Sequence, residues 1–148
     1  MSELPSHLQR TPNHSYTVEL RFTGDGLIPS EITHQLCLQP TNSSDSLPIS
    51  ASGREIRPFW AYNGQGEDKF QSEWQSLEQG LDFLLRRLAP LQVTVMELSQ
   101  RFEGLWWCGH FQASFDGGPT LSSKVLAEIA GYGLPLYIDN YFASEEQE

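Results

Sequence analysis

The segment Ser15–Gly26, SYTVELRFTGDG, constrains the fold more than any other. Tyr16, Val18, Leu20 and Phe22 alternate with Thr17, Glu19, Arg21 and Thr23. A period of two places these sets on opposite faces of a strand. One face is wholly apolar and has to be buried. The other carries a carboxylate and a guanidinium and has to meet water or a partner. Gly24-Asp25-Gly26 ends the strand. Such a strand belongs to a sheet with one covered face, so the rest of the chain is expected to supply more strands and a helical layer.

Pro29 in a first turn, Glu31 at the positive end, and Ile32 and Leu36 four apart predict a short helix stopped by Pro40. Residues 41–53 read as a polar loop, and REIRPFWAYNG as a weak strand broken or edged by Pro58. A main helix is expected over Glu73–Ala89, with Trp74, Leu77, Leu81, Leu84, Leu85 and Leu88 as its stripe. Gly80 weakens it by about 1 kcal/mol relative to Ala. LQVTVMELSQRF is rich in β-branched residues and reads as a strand that turns at Glu103-Gly104 into LWWCGHFQASF. Ser122 is a good N-cap for a helix with Val125, Leu126, Ile129 and Ala130 inward. In LPLYIDNYF, Leu134, Leu136 and Ile138 alternate with Tyr137, Asp139 and Tyr141 as a closing strand.

The predicted order is β-α-β-α-β-β-α-β. It describes a single α+β domain over residues 15–142, a mostly antiparallel sheet of about five strands with amphipathic helices on one face. Residues 1–14 are expected to be a disordered segment and residues 143–148 an acidic disordered tail. A chain of 148 residues buries roughly 70% of its unfolded surface and folds without metal or disulfides.

Parity divides EGLWWCGHFQASF. Leu105, Trp107, Gly109, Phe111, Ala113 and Phe115 are assigned to the core, and Trp106, Cys108, His110, Gln112 and Ser114 to the second face. Trp106 and His110 then join Glu19, Arg21, Tyr137, Asp139 and Tyr141 in a mixed aromatic and polar surface, the composition of an interface. Trp60, Glu67 and Asp68 form the alternative contact patch in the loop region. Cover of the second face by the 41–70 loop, or by a homodimer partner, stays open as the competing reading.

Chemistry-bearing motifs are sparse. Cys108 and His110 share a face two residues apart, with Asp139 or Glu19 as possible neighbours, but a metal needs three or four converging ligands. Cys108 fits better as a small buried apolar group. His34 beside Cys37 reads as packing and solvent, and His7 and His14 fall in the tail. No phosphate loop, nucleophile elbow, dinucleotide fingerprint or His-Glu-x-x-His is present. No cofactor, no metal and no catalytic residue are assigned. Nine Lys and Arg face nineteen Asp and Glu, a net charge of −10, which disfavours nucleic acid and anionic membrane. No apolar run reaches transmembrane length and the N-terminus lacks a signal-peptide core, so a cytoplasmic location with free thiols at Cys37 and Cys108 is expected.

Several segments together resemble the bacterial domain of unknown function 4279 family, from about Tyr16 to Tyr141. They are YTVELRFTGDGLIPSEITHQLCLQPT, with its strand, Gly-Asp turn and short helix, then Trp60, SLEQGLDFLLRRLAPL and LSSKVLAEIAGYGLPLYIDNY. The close at Leu38-Gln-Pro-Thr41 is one residue tighter than the family's, unless Leu36 is the match. FWAYNGQGEDKFQSEW and WWCGH look peculiar to this chain. The resemblance implies a small stand-alone bacterial protein of the kind encoded beside polymorphic toxins, acting as an immunity protein. It carries no catalytic residue to transfer. The leading expectation is therefore a non-enzymatic binder of a protein, a basic toxin domain fitting the charge. The alternative is a small-molecule binder or enzyme with a pocket near Cys108 and His110, and a base-stacking nucleic-acid binder comes last.

Overall fold

The computed structural model describes residues 13–45 and 57–142. The order is β1 (His14–Thr23), α1 (Pro29–Leu36), β2 (Asn42–Ser44), β3 (Phe59–Tyr62), α2 (Leu77–Leu88), a 3-10 turn (Ala89–Leu91), α3 (Gln92–Arg101), β4 (Glu103–Gln112), α4 (Ser123–Ala130) and β5 (Leu136–Phe142). The five strands form one sheet in the order β2-β3-β1-β4-β5. Neighbours are antiparallel except β4 and β5, which run parallel. Parallel neighbours need a long crossover, and the segment carrying α4 provides it. The single α+β domain with a mostly antiparallel five-stranded sheet is thus present.

β1 buries Tyr16, Val18, Leu20 and Phe22, as its alternation requires. They pack with Ile32 and Leu36 of α1, with Leu77, Leu81, Leu84, Leu85 and Leu88 of α2, and with Val95 and Leu98 of α3. The helices lie on this one face. Gly80 lets α2 lie close to the sheet: a Cβ there would sit 2.9 Å from Trp74 and 3.1 Å from Val18. The Ser76 hydroxyl accepts from the Gln79 N–H and starts α2. The Ser122 hydroxyl accepts from the Val125 N–H and starts α4.

Five local expectations are corrected. The segment 91–102 holds no strand; Gln92–Arg101 within it is α3. Strand parity would put Val93 and Val95 on one face, yet Val93 is exposed while Val95, Leu98 and Phe102 are buried. Their spacing of three and four is helical, and packing overrides the β-branched preference. Residues 42–44, inside the expected loop, pair with β3 as β2. β3 is therefore an internal strand, and Pro58 merely precedes it. The main helix starts after Trp74, whose N–H and C=O exchange hydrogen bonds of 2.7 Å with Tyr16 in an isolated bridge. His14, assigned to the tail, opens β1. Residues 1–12, 46–56 and 143–148 lie outside the described residues, and with them most of the two terminal segments.

Candidate functional site

The helices leave the other side of the sheet partly open, and register turns it into a grid. One row runs Glu19–Trp107–Tyr137, the next Thr17–Gly109–Asp139, the next Ser15–Phe111–Tyr141. The Arg21 guanidinium lies 4.8 Å from the centre of the Trp107 ring and ion-pairs with Glu19 at 2.5 Å. Phe111 stacks on Tyr141 with ring centres 5.0 Å apart, and its ring also covers Gly109, where a Cβ would meet it at 3.1 Å. The Tyr141 hydroxyl donates to Asp139, which raises the Tyr141 pKa. Burial pushes the Glu19 carboxyl up, with Arg21 pulling it partly back. Tyr137 is 53% exposed, Tyr141 42% and Phe111 37%. The surface is a flat platform of four aromatic rings crossed by two carboxylates and one guanidinium.

Glu19, Arg21, Tyr137, Asp139 and Tyr141 are on this face as expected. Trp106 and His110 are not. The pairing of faces along β4 is as predicted, but the faces are exchanged: Trp106, Cys108 and His110 point under the helices, and Trp107 and Phe111 point out. Trp106 and Trp60 are both completely buried, so neither is a contact residue. Trp106 meets Tyr132 edge-on at 5.2 Å, and the Trp60 indole N–H donates to the Thr33 hydroxyl at 3.0 Å, tying β3 to α1. Glu103 carried the missed signal. It shares parity with Leu105 and Trp107, and a charged residue suits a wet face.

His110 is 4% exposed and lies in a chain of hydrogen bonds. The His14 Nε2–H donates to the Asp116 carbonyl at 2.5 Å. His14 Nδ1 and His110 Nε2 are 2.8 Å apart and share one hydrogen. His110 Nδ1 meets the Asn140 side-chain amide at 2.8 Å. Tyr16 stacks on His110 at 4.7 Å. Sequence reasoning missed His14 and Asn140; the alternation from Tyr16 extends back through His14, which was the available sign. Both nitrogens of His110 are thus occupied, and neither activates Cys108. Burial, with a smaller contribution from Glu19, pushes the Cys108 thiol up to about 12. It is a buried structural thiol. Among the described residues no group of three or more His, Cys, Asp or Glu converges for a metal.

Glu67 and Asp68 lie elsewhere, on a groove of about 850 Å³ between their loop and α2, lined also by Phe70, Trp74, Phe83 and Arg87. Glu67 pairs with Arg87 at 3.2 Å, and Phe83 packs on Trp74 at 5.3 Å. The loop patch and the sheet face are separate surfaces. No described helix is long and apolar enough to cross a membrane.

An α+β domain with helices on one sheet face, an aromatic platform on the other and a sealed thiol is the class that fold and site define. Residues 14–143 match the family model described as Domain of unknown function (DUF4279), and the chain belongs to that family. No curated protein and no solved structure matches the chain.

Proposed function

We propose that this chain is a non-enzymatic protein-binding domain that holds a basic partner against the open face of its sheet. The platform of half-buried Trp107 and exposed Phe111, Tyr137 and Tyr141, beside Glu19 and Asp139, carries this reading. Aromatic rings give large contact area at low entropic cost and dominate interface energetics. A net charge of −10 steers cationic proteins toward the chain. In its most specific form, which the family resemblance suggests, the partner is a basic toxin domain and the chain its immunity protein.

The test is capture from the native host by the tagged chain, followed by a moderate-salt wash, with the double variant Trp107→Ala/Phe111→Ala alongside. The expected result is a near-stoichiometric basic protein on the wild type and its loss on the variant, with both chains melting at similar temperatures. Retention by the variant, or no basic protein at all, refutes the reading.

The enzyme reading has little chemistry to draw on, because Cys108 is sealed and protonated at neutral pH. A small-molecule reading would move to the groove at Phe70, Trp74 and Phe83.

A further inference from the structure

The two edges of the sheet are unlike. β2 is three polar residues long. Natural edge strands are kept short, or guarded by Lys, Pro or a bulge, because their free N–H and C=O groups template pairing with another chain. β5 is seven residues, Leu-Tyr-Ile-Asp-Asn-Tyr-Phe, with no Lys, Arg or Pro. At about 3.3 Å per residue it offers roughly 23 Å of edge. It pairs on one side with β4, and its outer side meets no strand among the described residues. Three of its four exposed residues are aromatic, Tyr137 and Tyr141 on the open face and Phe142 on the other, where Phe142 stacks on Phe115 at 4.3 Å; the fourth is Asn140.

We infer that β5 is a strand-addition site, and that the partner docks an extended cationic segment alongside it. This rests on the protein-binding reading above and states how the partner is read. A strand gains affinity from main-chain bonds and specificity from alternate side chains. Asp139 is the one charged residue of β5 and lies on the open face between Tyr137 and Tyr141. The complementary segment therefore carries Lys or Arg opposite Asp139, with apolar residues two positions to either side against the tyrosine rings. A second copy of this chain is a poor occupant. The antiparallel register that overlaps all seven residues is centred on Asp139 and sets it opposite its own copy, and like charges directly opposite each other are destabilising.

The probe is the capped heptapeptide Thr-Val-Thr-Lys-Thr-Val-Thr, titrated into the full-length protein and followed through backbone amide shifts. Shifts concentrated in Leu136–Phe142 are expected. They should be weakened about tenfold or more by Asp139→Lys, which puts like charges together, and likewise when the peptide's Lys is replaced by Glu. Amides of β1 and β3 unchanged in Asp139→Lys show that the variant is folded. Shifts spread over the protein, or equal binding of the Glu peptide, overturn the inference. So does wild-type self-association in sedimentation whose concentration-dependent amide shifts are confined to Leu136–Phe142, since the second copy is then the occupant. The two readings fail separately. Loss of the captured partner in Trp107→Ala/Phe111→Ala without a peptide response leaves the face and removes the edge. A peptide response at β5 with the partner retained by that double variant leaves the edge and removes the face.

Discussion

Trp106 and Trp107 are neighbours in the chain and opposite in consequence. Trp106 is fully buried against Tyr132, so Trp106→Ala is expected to cost about 3–5 kcal/mol in chemical denaturation. Trp107 is half-buried, with the Arg21 guanidinium over its ring, and Trp107→Ala should cost about 1 kcal/mol or less. Equal losses at the two sites would mean that the face assignment of β4 is wrong. Cys108 gives a pH signature. Its folded pKa, about 12, lies above the ordinary value of 9.0, so the folded state favours the protonated thiol. That contribution is complete below pH 9 and is lost as pH rises toward 12, at up to about 1.4 kcal/mol per pH unit. Burial also raises Tyr16, Tyr62 and Tyr132, and these add to the alkaline loss at higher pH. Urea denaturation of wild type and Cys108→Ala from pH 8 to 10.5 should therefore show a steeper decline in the wild type. Parallel curves would contradict the assigned burial.

At the level of elements, α2 illustrates how context reverses a propensity. Gly80→Ala removes a weak helix former, and in an exposed helix it would stabilise by about 1 kcal/mol. Here the added methyl meets Trp74 and Val18 at about 3 Å, so thermal unfolding should show a loss of stability, about 1–3 kcal/mol for overpacking. A gain would mean that α2 stands further from β1. The same element shows what was legible in the sequence. Its leucine stripe, the alternation of β1, the Ser122 cap and the outward tyrosines of β5 were readable because each pattern is local and repeated. The faces of β4 were harder to read, because both are mostly uncharged and Glu103 alone marks the wet one. α3 was misread because its Val and Thr content suggested a strand, whereas burial at Val95, Leu98 and Phe102 follows a helical period. The His14–His110–Asn140 chain joins three strands, β1, β4 and β5. No spacing within one segment could announce it.

For the whole molecule, charge is the property that matters to a partner. An acidic chain with a basic partner should associate more slowly as salt rises, while the dissociation rate changes little, because steering acts on encounter and packing acts on residence. Stopped-flow association of the captured partner between low and moderate salt checks this. A salt-insensitive association rate would indicate that the net charge of −10 serves solubility alone.

The placement of β1 at the centre of the sheet also has a kinetic side. Residues Leu20–Thr23 pair with β3, but His14–Glu19 find their strand partner only in β4, in contacts such as His14 with His110 that span 96 positions. Contacts of that separation close slowly, because loop entropy is lost before they reward it. On a ribosome β1 emerges before the other elements of this domain, and the backbone edge that pairs with β4 would wait until Gln112 had been made. A chain stalled before β4 would hold an unsatisfied, strongly β-forming segment in the open. The fold thus links synthesis of β4 to protection from aggregation.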